Sequence, residues 1–471
     1  MRSANILLAM DVLATATPRT EARSLYRCAR CGVESPERSC FVMPEPHAKA
    51  PLDTRCIICE EARLATGALD GAIGVLRTIF VPVMVLVLIQ RGLGELTMSV
   101  LLVACLMTPI SIIAHELGHA VAARLVGLTV GAIVIGVGRK LWSGEIFGTA
   151  VTLHAWPLSG LTFLGSQSLQ FLRTRLWLAT LMGPATNGLL VIVAVEHWPD
   201  MVETVGAPLL FLWIITNGLL AVQSLVPRRF QHAREMLSTD GLALLQIPRS
   251  TPEQLESYLF TASLLRAHSR FERRDYAGAR EICLQGLELV PDNLQLRLLL
   301  SACYGHQQKY ASSLGLLRQL LKQYANAESA VRAALENNTA FALLMSRSRA
   351  GYDSDVLIEA DRLSTRAFTL YPCVLAYRST RALVLTATGR PDEALELLTY
   401  SHYATAERTA RGHRAVARAF ALHRLGRADA AREAAAEAIR LDPDNAHVMA
   451  ALDVLPVGDV PVRRQEPADA A

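Results

Sequence analysis

The sequence predicts a mainly α-helical protein in four parts. A cysteine-rich cytoplasmic module spans 1–66 and a membrane-embedded helical core with a short β-hairpin insertion spans 67–248. A solenoid of helical repeats follows over 249–455, with a disordered tail over 456–471. Three observations carry this reading. Apolar residues make up 51% of the chain and crowd into 72–226. Two CxxC pairs stand near the N-terminus. Ala- and Leu-rich helical segments between about Thr251 and Leu455 repeatedly close on proline. The net charge of +4, without long Lys or Arg runs, gives no polybasic arm, so no nucleic-acid partner is expected.

Met1–Ala16 imitates a signal peptide, but Asp11 interrupts its apolar run, and the segment reads as a tail. Beyond it, Cys28-Ala29-Arg30-Cys31 and Cys56-Ile57-Ile58-Cys59 offer four thiolates, enough for a closed tetrahedral zinc site. So short a module buries too little surface to fold without metal. It looks like a small zinc ribbon, used for stability or partner contact. Cys40 and His47 lie between the pairs and offer substitute ligands or a second site. Cys105, Cys283, Cys303 and Cys373 read as small buried hydrophobes.

Four apolar segments follow, at about 72–90, 98–125, 176–195 and 207–226. Each is near the ~20 residues that carry a helix across ~30 Å of hydrocarbon. Arg63, Arg124, Arg139, Lys140, Arg173, Arg175, Arg228, Arg229 and Arg234 fall on one side. The 196–206 loop on the other side holds only acidic charges, Glu196, Asp200 and Glu203. Positive residues stay inside, so both termini are expected in the cytoplasm. Arg outnumbers Lys and Ala is abundant, as in GC-rich bacterial genomes, which makes a bacterial inner membrane the expected location. Between the second and third segments, residues 127–165 are rich in β-branched residues and glycine, and predict one or two short β-hairpins at the membrane surface.

The chemistry concentrates in His115-Glu116-Leu117-Gly118-His119. Residues i and i+4 share a helix face, so both imidazoles can bind one zinc, and Glu116 beside them is placed as the catalytic base for water held by the metal. Ionisable groups at membrane depth are expensive and point to function. At ~1.5 Å per residue from Met98, His115 sits ~25 Å along its span, toward the cytoplasmic side. A catalytic zinc takes a third protein ligand. Asp240 is the foremost candidate. On the residues alone it serves equally well as an N-cap of the helix beginning at Gly241. His232 competes as a ligand.

These motifs resemble the site-2 protease family of intramembrane metalloproteases, the M50 peptidases. The similarity lies in the HELGH within an apolar span and in Gly183-Pro184-Ala185-Thr186-Asn187 in the next. It continues through Asn217, Leu225-Val226-Pro227 and Asp240-Gly241-Leu242-Ala243-Leu244, and Trp156-Pro157-Leu158-Ser159-Gly160 resembles the family's surface hairpin. It covers roughly 72–246. Ser224 stands where the family usually has Asn, and the gap from Pro227 to Asp240 is longer than usual. The resemblance implies cleavage of a transmembrane protein substrate within or beside its membrane helix. It also implies Asp240 as third zinc ligand, and Asn187 and Asn217 as substrate-positioning groups. The segments Asp275–Asn293 and Arg427–Asn445, both ending Pro-Asp-Asn, resemble tetratricopeptide repeats. Stacked repeats imply a concave surface for a peptide or protein partner. The competing reading is a membrane-anchored repeat scaffold with a degenerate protease core. The complete HELGH argues against it.

Overall fold

The computed structural model describes residues 25–42, 54–60, 97–199, 207–232, 235–346, 353–402, 408–443, 445 and 448. The expected first span, Met1–Ala16, His47 and the tail lie outside these residues. The chain forms two compact units, one of residues 1–60 with 298–471 and one of residues 61–297. The boundary between 297 and 298 falls inside the repeat region, and the cysteine module belongs to the same unit as the C-terminal part of that region.

The cysteine module is built from two minimal antiparallel ladders. Strand β1 (Tyr26–Arg27) pairs with β2 (Glu34–Ser35), and β3 (Phe41–Val42) with β4 (Arg55–Cys56). The Cys28 knuckle closes on itself: the Cys28 N–H donates to the Val33 carbonyl and the Gly32 N–H to that of Cys28. Gly32 takes the left-handed conformation, φ +71°, that this tight turn requires.

In the unit 61–297, helix α1 (Thr97–Leu125) carries the HELGH segment. It ends in a Schellman turn, with Gly127 at φ +76° and the Leu128 N–H on the Ala123 carbonyl. Helix α1 is inverted relative to a water-soluble helix. Ile110, Ile113, Leu117 and Val121 are exposed along one stripe, while Glu116 and His119 are buried. Helix α2 (Leu172–Glu196) likewise exposes Leu178, Met182, Leu189 and Ile192. Among the described residues α2 is the one helix long and apolar enough to cross a membrane. The apolar stretch Leu210–Leu225 of helix α3 (Ala207–Leu225) is shorter.

Between α1 and α2 the structure has the expected β-hairpin, of strands β5 (Thr129–Ile146) and β6 (Thr149–Gly165). Phe147 and Gly148, both with positive φ, form its two-residue turn. The hairpin doubles back: Val134 is in register with both Leu161 and Thr152. The bend falls at Gly136 and Gly138, each at φ +88°, where an L side chain is strained. Strands β7 (Arg229–His232) and β8 (Glu235–Ser238) then lead into helix α4 (Asp240–Gln246). Helix α5 (Pro252–Glu272) begins with a Thr251/Gln254 capping box and proline in its first turn. It lies against the hairpin so closely that a Cβ on Gly131 would meet the Ala262 Cα at 2.7 Å. Glu145 of β5 fixes the contact through Arg270 at 3.0 Å and Arg273 at 2.9 Å.

Helices α6 (Tyr276–Leu289), α7 (Leu294–His306), α8 (Tyr310–Gln323), α9 (Ser329–Met345), α10 (Ser354–Leu370), α11 (Leu375–Ala387), α12 (Pro391–Leu397), α13 (Arg408–Arg424) and α14 (Ala428–Leu441) complete the chain. Their register is marked by turns more clearly than by prolines. Arg274, Gln308, Gly389 and Gly426 all have positive φ. At each, the next residue's N–H reaches a carbonyl five residues back, and the following helix starts one or two residues later. Alanines such as Ala382, Ala417, Ala419 and Ala434 are fully buried and let these helices approach closely.

Candidate metal centres

His115 and His119 lie on the inner face of α1, and their Nε2 atoms are 3.2 Å apart. Asp240 reaches both, with Oδ2 at 3.0 Å from the His115 Nε2 and Oδ1 at 3.3 Å from the His119 Nε2. The far sides of the rings decide the protonation. His119 Nδ1 is 2.8 Å from the Ala179 carbonyl and His115 Nδ1 is 2.6 Å from the Asn187 Oδ1. Both partners only accept, so each Nδ1 carries its proton and donates it. The two Nε2 lone pairs then converge with a carboxylate, an arrangement that demands a cation. The three donor atoms lie within 4.8 Å of one another. His–His–carboxylate with an outer hydrogen bond on each imidazole is a set that suits catalytic zinc.

Asn187 and Asn217, both fully buried, stand behind His115. The Asn187 amide donates to the Ser111 carbonyl at 3.2 Å and the Asn217 Oδ1 at 2.8 Å, which fixes its orientation and turns its Oδ1 to His115. Asn217 in turn donates to the Trp213 carbonyl at 3.0 Å. Both amides are thus committed to a relay that aims an imidazole.

Asp240 is the first residue of α4, with Thr239 in the cap position. The Thr239 hydroxyl donates to the Val226 carbonyl at 2.7 Å and accepts the Arg228 N–H at 3.1 Å, tying the start of α4 to the end of α3. Gly241 makes that approach possible, since a Cβ there would lie 1.9 Å from the Leu225 carbonyl oxygen. Burial raises the Asp240 carboxyl, but the adjoining His115 and His119 rings outweigh this and hold it at about 2. The carboxylate is therefore ionised, as a ligand must be. His232 sits on β7 in register with Glu235, and among the described residues the cluster that could hold a metal contains Asp240.

Glu116 is buried and faces the hairpin. Thr162 of β6 donates to its Oε2 at 2.6 Å, and Gly160 leaves the room it occupies: a Cβ there would stand 2.3 Å from Oε1. Gly160 belongs to the Trp156–Gly160 motif, but nothing in the sequence marks Thr162. Gly183 performs the same service for His119, since a Cβ on it would come within 2.2 Å of Nε2. Gly183→Ala is expected to cost ~1–3 kcal/mol of local overpacking and to displace His119. Metal analysis and circular dichroism should find one zinc lost with helix content kept; retention of that zinc would refute the steric argument.

A second centre gathers Cys28, Cys31, Cys56 and Cys59, whose sulfurs lie within 4.8 Å of one another. Without a cation the Cys31, Cys56 and Cys59 thiols resist ionisation. The hydrogen bond to Cys56 and burial raise Cys31, and burial with the neighbouring Cys56 pushes Cys59 far up. Zinc would deprotonate all four. The sequence did not announce what else converges here. Cys40 and Cys373 approach to 3.2 Å, the His402 Nε2 is 3.1 Å from the Cys59 sulfur, and the Tyr400 hydroxyl is 3.2 Å from that of Cys31.

The sequence profile of Peptidase family M50 matches residues 103–342, and that of a tetratricopeptide repeat matches 416–445. Over 59 residues the chain is 46% identical to a "Putative zinc metalloprotease" of Helicobacter pylori strain J99. It is 44% identical to the like-named protein of strain 26695. Each match covers 12% of this chain and 17% of the relative. Among solved structures, a thermophilic TPR protein of Thermus thermophilus aligns at 18% identity and TM-score 0.32, over 41% of this chain and 97% of that one. The TPR domain of P58(IPK) aligns at 14% identity and TM-score 0.21, over 60% of this chain and 81% of that one.

Proposed function

The chain belongs to peptidase family M50, and from that premise we propose that it is an intramembrane zinc endopeptidase. Its substrate is a membrane protein, cut within or beside a transmembrane helix. His115, His119 and Asp240 hold the catalytic zinc, Glu116 is the general base and acid, and Cys28, Cys31, Cys56 and Cys59 hold a structural zinc. The observation that carries the reading is the convergence of two Nε2 lone pairs and one carboxylate beside a buried glutamate. The inverted α1 supports a membrane setting, because a helix that exposes Ile110, Ile113, Leu117 and Val121 while burying its ionisable groups suits lipid better than water.

A bound zinc supplies Lewis acidity, polarising the scissile carbonyl and acidifying water. Glu116 takes the proton from the attacking water and returns it to the departing amine nitrogen. Thr162 holds the carboxylate in place through its hydroxyl, without competing for that proton. Asn217, Asn187 and the Ala179 carbonyl keep both imidazoles in the tautomer that leaves Nε2 free. In this reading the asparagines position the zinc ligands, and the four-span core places the centre near the cytoplasmic face. Both termini are cytoplasmic, and the repeats receive a substrate tail or a regulator.

The test is cleavage of a single-span substrate by the purified full chain in detergent micelles, with zinc counted per chain. Cleavage that a chelator stops and added zinc restores is the expected result. A chain that binds no metal beyond the cysteine centre and never cuts would leave a membrane-anchored repeat scaffold as the better description.

A further inference from the structure

We infer that the cysteine centre is a zinc clasp which fastens the N-terminal segments 25–42 and 54–60 to the repeat helices α9–α12 of the same chain. The inference rests on the reading of the four cysteines as a zinc site and goes beyond its role as a local staple. A zinc held by four thiolates carries a net charge of −2, which is costly at a buried position unless hydrogen-bond donors and positive charge surround it. The repeats supply both. Against a thiolate, which only accepts, His402 donates from Nε2 to Cys59 and Tyr400 from its hydroxyl to Cys31. The Arg378 guanidinium lies 3.8 Å from the Tyr400 ring centre, adding positive charge behind that hydroxyl.

The seam around the centre is equally specific. Ser35 of β2 donates at 2.7 Å to the carbonyl of Leu370, one of the end carbonyls that helix α10 leaves unpaired. Ser39 bonds the Tyr371 hydroxyl, which also meets Ser329 of α9 at 3.1 Å. Cys40 and Cys373, both fully buried, touch across the seam. Cys28, Cys40, Cys56 and Cys59 share one buried cluster with Ala333, Tyr371, Cys373 and Tyr377. The ligands come from the N-terminal segment, and their outer donors come from residues more than three hundred positions away. Loss of the metal turns the thiolates that His402 and Tyr400 address into thiols, much weaker acceptors, so the two segments loosen together.

The experiment uses the full chain in detergent with His119→Ala, so that zinc at the cysteine centre is counted alone. Chelation should raise amide hydrogen exchange over 26–42 and over 371–402 together, leaving 428–441 unchanged. His402→Ala should still bind zinc but yield it to a competing chelator ~10–100 times more readily, the usual effect of removing an outer partner of a metal ligand. Zinc bound with unchanged exchange at 371–402, or equal affinity in His402→Ala, would overturn the clasp while leaving the cysteine site intact. Absence of zinc would overturn both. Either result is independent of whether the chain cleaves its substrate.

Discussion

Glu116→Gln is expected to keep both zinc ions and to lose cleavage by ~10²–10⁴-fold, the range typical of a removed general acid–base group. The substitution suits the site. Glutamine preserves the volume beneath Gly160, where no extra atom can enter, and its amide oxygen still accepts from Thr162. Glutamine cannot accept the water proton. Any loss therefore reports on chemistry, not on packing. Initial rates on the micellar substrate, with zinc measured on the same sample, decide the matter. A variant that retains more than about a tenth of the rate would remove Glu116 from the proton-transfer role.

Asp240→Ala should have the second large effect, of a different kind: one zinc is lost and cleavage disappears with it. An outer partner of a ligand typically changes metal affinity by ~10–100-fold, and a direct ligand should cost more. Alanine leaves His115 and His119 with their lone pairs 3.2 Å apart and no carboxylate to complete the set. Helix α4 should survive, because Thr239 and Gly241 hold its start against α3 independently of the Asp240 side chain. His232→Ala is the control and should retain both zinc ions and full activity. Zinc retained in Asp240→Ala but lost in His232→Ala would transfer the ligand to β7.

The short-range chemistry was legible in the sequence. Two imidazoles four residues apart on a helix share a face whatever surrounds them, so His115, Glu116 and His119 could be read as a unit. Their placement in an apolar stretch added the expectation of a membrane. The CxxC pairs announced a thiolate centre because a two-residue spacing turns both sulfurs to one side. Three of the four apolar segments matched α1, α2 and α3 within a few residues, since a helix's length follows from where its apolar run begins and ends, and the first lies outside the described residues.

Other features were invisible because they are relations between distant segments. Position alone did not separate Asp240 as a candidate ligand from Asp240 as an N-cap; Gly241 against Leu225 and Thr239 against Val226 bring its carboxylate to His115 and His119. The hydrogen bonds of Asn187 and Asn217 form a relay that crosses three helices. Thr162 acquires meaning only because a doubled hairpin brings β6 onto α1. Cys373 and His402 look ordinary in sequence, and only packing puts them at a cysteine centre built hundreds of residues earlier. By itself the sequence determined which candidate donor groups stand together, since donor types and helical spacing are local properties. The tertiary structure decided which distant groups orient those donors, because burial and hydrogen-bond geometry are fixed only when segments pack together.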